Sequence, residues 1–258
     1  MAGAIGTLFY DVPRSDQTMS RLLSQFEFLA VDHPDSLFSL VFQERILMKR
    51  FDELLHQYAQ AESNAKLELE QNKVVLDRAV LARIEETLWD EFGVEQAVLV
   101  LDMAGFSEGV QAHGIVHTLS MIHRMHIAVE TPVDRYNGSI VKFEADNMFA
   151  RFSSAEDAID AGIAINHLLS GMNLMTPEQL DVHASIGIDF GKFLLVDETE
   201  MFGDPINLAS KLGEDTASSG EILVTRKAMG VVPEGRFNCE ILSISISGIS
   251  IPTYRIAF

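Results

Sequence analysis

The sequence predicts an α+β fold, a ferredoxin-like βαββαβ core with extra strands, preceded by an N-terminal helical segment. Three observations predict it. From about residue 93 onward, short apolar runs of strand length alternate with amphipathic helical stretches. Two of those runs are joined by only Glu144-Ala145-Asp146, the length of a hairpin connection. Before residue 93 the apolar spacing is helical. The alternation of single helices with strands, one hairpin lying between them, is that of a split βαβ unit.

The elements follow in order. Residues 1–36 contain VPRSD and VDHPDS, which read as turns. Leu47, Phe51, Leu54, Tyr58, Ala61 and Ala65 then fall at spacings of 4, 3, 4, 3 and 4, the seam of a coiled coil. A second set, Val74, Leu81, Ile84 and Leu88, sits out of phase with the first, so a break is expected near Asn72. The seam fits two helices packed within one subunit as well as a helix pair between subunits. Residues 1–92 are read as a helical dimerisation or regulatory segment, and 93–258 as a separate α+β domain.

In that domain Ala97 to Leu101 is a buried-strand run and Glu108 to Val129 a helix. Gly138 to Phe143 and Asn147 to Phe152 are the hairpin strands. Ala155 to Leu169 is the second helix, closed by Ser170-Gly171. His183 to Ile188 and Lys192 to Val196 are read as strands flanking a turn at Asp189-Phe190-Gly191. Pro205 to Leu212 is the third helix, with Asp204 as its N-cap and Pro205 at its first position.

Composition excludes several classes of partner. The 258 residues carry 38 acidic and 19 basic side chains, a net charge of −19. Nucleic acid or an anionic membrane surface would require a basic face, so neither is expected. A phosphate ligand stays compatible, because a divalent cation can carry the opposing charge. The single cysteine, Cys239, cannot close an internal disulfide, and a reducing, cytoplasmic compartment is the simpler reading. No run approaches the length of a membrane span and the N-terminus lacks the pattern of a signal peptide.

Asp102 ends the first strand run, and Asp146 lies in the hairpin between the next two. In a split βαβ sheet these positions are neighbours, so the two carboxylates can converge. Paired carboxylates at adjoining strand ends suit two Mg²⁺ or Mn²⁺ ions, which prefer oxygen ligands. Such a pair can activate an attacking oxygen and neutralise a triphosphate during in-line displacement. Gly105 lets the backbone after Asp102 approach a phosphate closely. Taken alone, an aspartate at a strand end is more often an ordinary turn residue.

Three segments then carry a resemblance. Val98–Phe106 (VLVLDMAGF), Ile140–Phe152 (IVKFEADNMFARF) and Phe202–Lys211 (FGDPINLASK) resemble, in order and spacing, three blocks of the class III adenylate/guanylate cyclases. The ending Gly248–Ile256 (GISIPTYRI) fits as well, so the likeness covers roughly residues 94–258. The resemblance implies a nucleotide cyclase that converts ATP to 3′,5′-cyclic AMP and pyrophosphate in a homodimer, with two Mg²⁺ or Mn²⁺ ions per site. The alternatives are a cyclase acting on GTP or a pyrimidine nucleotide, and a nucleotide-binding regulatory module of low or no turnover.

Position by position, Asp102 and Asp146 match the metal-binding aspartates, and Met103 the residue whose carbonyl also ligates. Lys142 and Glu200 match the pair that reads the base. Asn207 matches the asparagine that orients the ribose. Lys211 stands where an arginine meets charge developing on the α-phosphate. Gly105, Phe106 and Ser107, the backbone that follows Asp102, are read as further substrate-binding residues, and Lys192 matches a basic triphosphate contact. The ionic ligands would come from one subunit, and Lys142, Glu200, Asn207 and Lys211 from the other. Chemistry agrees: lysine donates to an adenine acceptor, and ionised glutamate accepts from the exocyclic amine. Asn207 and Lys211, four apart on a helix, face the same way.

Four positions depart from the family pattern. Ala145 replaces a glycine, which is tolerated only at negative φ. Glu200 is longer than the usual aspartate. Lys211 lacks the planar fork of arginine. No lysine stands near Ser247. His113, His117, His123 and His126 are read as ordinary helix histidines rather than zinc ligands, since no cysteine or acidic residue accompanies them at matching spacing. Phe143, Phe149 and Phe152 are read as core.

Overall fold

The computed structural model describes residues 48–61, 77–246 and 249–258. The chain divides into two compact units, with the boundary between Gln60 and Ala61. Residues 48–61 form helix α1, all but its last residue within the first unit. Phe51 and Leu54 are buried on it, as the apolar spacing requires, and Tyr58 is half-buried on the same side. Leu47, Ala65, Val74 and the break near Asn72 lie outside the described residues.

The second unit begins with helix α2 (Asp77–Phe92), which runs without a loop into strand β1 (Gly93–Met103). Then come α3 (Phe106–His113), α4 (Ile115–Arg135), β2 (Gly138–Glu144), β3 (Asn147–Phe152) and α5 (Ala155–Asn173). A short 3₁₀ turn at Glu178–Leu180 leads to β4 (Ala184–Val196), β5 (Glu200–Phe202), α6 (Asp204–Gly213), β6 (Ile222–Thr225) and α7 (Arg226–Met229). Strands β7 (Asn238–Ile246) and β8 (Ile249–Ala257) close the unit. The strands form one sheet in the order β2-β3-β1-β4-β6-β8-β7, with β5 pairing beside β4. This is the expected α+β architecture: a βαββαβ core with additional strands on one side.

The period-2 alternation of a strand explains the two cores. Along β1, Ala97, Leu99 and Leu101 face the layer of α4 and α5, where Met125, Val129, Ile159 and Ile165 meet them without exposure. Val98 and Val100 face the other way, toward Val141, Phe149, Phe193 and Ala209. Each large side chain buried in this way contributes about 1.5–3 kcal/mol. Asp102 lies on the second face, and so does its cross-strand partner Asn147.

Helix α6 covers that second face. It sits close because Gly187 on β4 has no side chain. A Cβ there would lie 2.0 Å from the Ala209 carbonyl oxygen and 2.6 Å from the Gly213 nitrogen. The contact is backbone on backbone, so no rotamer can relieve it.

Three local expectations are corrected. The single helix from Glu108 to Val129 is two helices, because Gly114 sits between them at φ 83 and ψ 164, an extended positive-φ conformation open to glycine that interrupts the helix. Asp189-Phe190-Gly191 is not a turn: β4 is continuous and pairs with β1 from Gly93↔Leu194 to Met103↔Ala184. The cap of α6 is Gly203, with no side-chain hydrogen bond, and Asp204 is already helical.

Candidate active site

The end of β1 and the β2–β3 turn are tied together by their backbones. Glu144 and Asn147 pair across the hairpin, which leaves Ala145 and Asp146 as its two central residues. The N–H of Met103 donates to the Asp146 carbonyl at 3.2 Å, and that of Ala104 to the His183 carbonyl at 2.9 Å. Asp102 and Asp146 are thereby brought into electrostatic contact. Burial, with the charges of Asp146, Glu214 and Asp215, pushes the Asp102 carboxyl up to about 7. Glu214 is raised too, chiefly by desolvation and partly by Asp215, Asp146 and Glu144, against a hydrogen bond from Ser210. Glu214 and Asp215 follow α6, and sequence reasoning did not find them. They are distant in the chain from Asp102, and only the close seating of α6 brings them in.

Ala145 has φ 52, while Asp146 is not left-handed. Positive φ at the first central residue alone is the pattern of a II′ hairpin turn, which prefers glycine there. The condition under which the turn would tolerate alanine, a negative φ, is therefore not met, and the methyl group costs about 1–2 kcal/mol of strain.

Lys142 projects from β2 on the same sheet face. Its Nζ lies 2.6 Å from Glu144 Oε1, 2.9 Å from Glu200 Oε2 and 5.4 Å from the centre of the Phe149 ring. Burial alone would lower its pKa, but the hydrogen bonds to the two glutamates outweigh that and raise it. Glu200 reaches this position on β5, at the end of a hairpin whose turn residues Asp197 and Glu198 both have positive φ.

The remaining sequence candidates are placed as follows. Asn207 is exposed and Lys211 half-buried, one turn apart on α6. Gly105 is left-handed at φ 83 and precedes α3, while Phe106 packs against the core. Ser107 lies in the first turn of α3. Lys192 is exposed on β4 opposite Glu95. Ser247 lies outside the described residues. Phe149 and Phe152 are buried, and Phe143 packs partly against the core. His113 and His117 have ring centroids 4.9 Å apart, and His117 Nε2 contacts the Gln179 carbonyl at 2.9 Å. They border a cavity of about 90 Å³ behind Met103, Ala104 and Gly105.

Among the described residues no group of three or more His, Cys, Asp or Glu side chains is arranged to hold a metal ion. The Asp102 edge offers a different donor set: two carboxylates with nearby backbone and amide oxygens. The charges acting on Asp102 are all negative. Asn147 Oδ1, on the sheet face of Asp102, is buried without a hydrogen-bond partner. Uncompensated carboxylates beside an orphaned amide oxygen fit a hard divalent cation.

No protein-family model matches the chain. It is 26% identical over 130 residues to "Putative adenylate cyclase 3" of Rhizobium meliloti (strain 1021), covering 50% of this chain and 22% of that protein. The chain thus spans under a quarter of the length of the curated relatives it matches. Among solved structures it is similar to the adenylate/guanylate cyclase/hydrolase from Silicibacter pomeroyi, with TM-score 0.54 and 24% identity over 64% of this chain and 96% of that one. It is also similar to the guanylyl cyclase Cya2, with TM-score 0.57 and 15% identity over 64% and 92% of the two chains. The second unit therefore has the fold of a class III nucleotide cyclase catalytic domain. The family resemblance carried by the three sequence blocks holds at the level of the fold.

Proposed function

We propose that this chain is a nucleotide cyclase that converts ATP to 3′,5′-cyclic AMP and pyrophosphate, working as a homodimer with two divalent ions per site. The observation that carries the reading is the junction of β1 with the β2–β3 turn, which brings Asp102 within electrostatic reach of Asp146, with Glu214 and Asp215 adding negative charge. The Rhizobium relative's name and the fold of the solved cyclases support the reaction class. The fold is shared with a guanylyl cyclase, so the choice of ATP rests on Lys142 and Glu200.

Asp102, Asp146 and the Met103 carbonyl would hold the ions. When bound, these ions would lower the pKa of the ribose 3′-hydroxyl and neutralise charge on the triphosphate. The 3′-hydroxyl would give its proton to solvent water as its oxygen forms a bond to the α-phosphorus, while the bond from that phosphorus to the bridging oxygen breaks and pyrophosphate leaves. The Lys142 ammonium would donate to an acceptor on adenine, and Glu200 would accept from its exocyclic amine. Asn207 would orient the ribose, and Lys211 would meet charge growing on the α-phosphate oxygens. Gly105, Phe106 and Ser107 would present backbone to the triphosphate, with Lys192 a further cationic contact. In the dimer, Asp102 and Asp146 of one subunit would face Lys142, Glu200, Asn207 and Lys211 of the other.

A second reading, a triphosphate-binding regulatory module, is favoured by the strained Ala145 and by lysine in place of arginine at position 211. Pyrophosphate release measured against all four ribonucleotides, with Mg²⁺ and with Mn²⁺, separates the readings. Release from ATP supports an adenylate cyclase. Release from GTP, CTP or UTP alone reassigns the base, and triphosphate binding without release leaves only the module.

A further inference from the structure

Resting on the base-reading role proposed for Lys142 and Glu200, we propose that Arg151 is a positioning residue that clamps the β4–β5 hairpin to the sheet and thereby holds Glu200 at Lys142. Strand β5 is weakly anchored by itself. It has three residues, lies off the main path of the sheet, and pairs with β4 from Leu194↔Phe202 to Val196↔Glu200. Its turn is strained. The Thr199 N–H donates to the Val196 carbonyl at 3.2 Å, and the two central residues, Asp197 and Glu198, have φ 57 and 58. Positive φ at both central residues is the type I′ pattern, which favours Asn-Gly or Asp-Gly, and Glu198 stands where glycine is preferred. A left-handed glutamate persists only where its surroundings over-determine it.

Arg151 supplies such a restraint from outside the hairpin. It stands on β3 opposite Val98 of β1, on the sheet face that carries Asp102 and Phe149. Its guanidinium donates through Nη1 to Gln96 Oε1 at 3.2 Å and through Nη2 to Glu198 Oε2. Its Nε is buried without a partner, so these two contacts orient the group. One planar fork thus joins β3, β1 and the tip of the hairpin. From Glu198 the chain has one residue, Thr199, before Glu200, whose carboxylate meets Lys142 Nζ at 2.9 Å. Lys142 has a second partner, Glu144 Oε1 at 2.6 Å, so its ammonium stays paired if Glu200 departs. The lysine alone therefore does not bind the hairpin firmly, and the Arg151 fork makes up the difference.

The test uses the full chain, amide exchange over residues 196–202, and initial rates of pyrophosphate release from ATP and from GTP, with kcat and KM read separately. Arg151→Met keeps an apolar stem and loses the fork. It is expected to raise exchange across the hairpin and to raise KM for ATP about two- to fivefold with kcat little changed. The preference for ATP over GTP should fall by a similar factor. That is the scale of an ion pair whose glutamate side chain is 67% exposed. Glu198→Ala acts at that exposed side chain, where folding is not at stake, and should shift the same quantities in the same direction. The double variant should lose no more than Arg151→Met alone, since both substitutions remove one contact. Arg151→Lys keeps the charge but cannot span both partners, and should fall between the wild type and Arg151→Met.

Unchanged exchange in Arg151→Met would overturn the inference. So would additive losses in the double variant, or a fall in kcat equal for both nucleotides, either of which would mark Arg151 as general packing. A nucleotide preference that moves in Lys142→Glu but not in Arg151→Met sinks the clamp alone, whereas one that moves in neither removes the base-reading role on which it rests. If the wild type releases pyrophosphate from neither nucleotide, the cyclase reading fails, while exchange in the single and double variants still decides whether Arg151 holds the hairpin.

Discussion

Two regions on the same sheet face treat charge in opposite ways. Around Asp102 the neighbouring charges are Asp146, Glu214 and Asp215, all carboxylates. Around Lys142 the charges already alternate, with the ammonium between Glu144 and Glu200. The first region is electrostatically unfinished and gains from an added cation. The second is internally matched, and its donor and acceptor are fixed in place before any ligand arrives. An unfinished cluster suits ions that come and go with substrate. A matched pair suits recognition of a base edge, where a misplaced donor leaves a buried group unpaired.

Removing charge from the unfinished region should have the largest effect. Asp102→Asn or Asp146→Asn is expected to lower pyrophosphate release by about 10³-fold or more, since ligand and charge stabilisation disappear together. Near-normal release by either variant would break the comparison at its root. Gly187→Ala comes next. Its new Cβ would meet the backbone of α6 at 2.0 Å, so α6 must lift from the sheet. A loss of about 3 kcal/mol in stability is expected, read from denaturant melts. Because α6 leads into Glu214 and follows directly on the strand that carries Glu200, both regions should be disturbed at once.

In the matched region, Lys142→Glu should lower kcat/KM for ATP by about 10- to 100-fold, the range for losing a donor and leaving like charges together. Release measured across the four nucleotides checks it. An unchanged order of preference would show that Lys142 does not read the base.

Much of this arrangement was legible in the chain. The strand Asn147–Phe152 has the bounds read from the chain, set off by the short Glu144-Ala145-Asp146 connection before it, and the neighbourhood of Asp102 and Asp146 follows from topology. The errors have physical causes. Asp189-Phe190-Gly191 has turn composition, yet Asp189 is only 1% exposed. It accepts from Thr225 Oγ1, so its polarity is satisfied inside a strand. Gly191 is small because the side chains of Lys227 and Pro205 pass over it, not because the chain reverses. Gly114 was passed over because the apolar period continues through it. The roles of Glu214 and Asp215 depend on how closely α6 seats, a property of Gly187 and Gly213 in three dimensions that no local pattern records.

The smallest expected effect concerns pH, and it separates the unfinished region from the matched one without any substrate. In metal-free protein, Asp102 is raised to about 7 by burial and its carboxylate neighbours, and Asp197 to about 6 by burial and Glu198. Both folded values lie above those of the unfolded chain. Between roughly pH 4 and 7 the native state therefore holds protons that the unfolded state has released, and stability falls as pH rises through this window. Discounted for partial exposure, the Asp102 share is about 1–2 kcal/mol, a few degrees in melting temperature. Thermal melts in chelator should thus show a lower midpoint at pH 8 than at pH 5. Asp102→Asn should recover part of the difference at pH 8 and little at pH 5, and Mn²⁺ should recover it in the wild type but not in that variant. A midpoint that rises steadily from pH 5 to pH 8 would mean that burial and the neighbouring carboxylates do not hold a proton on Asp102, and the contrast with the Lys142 region would lose its basis.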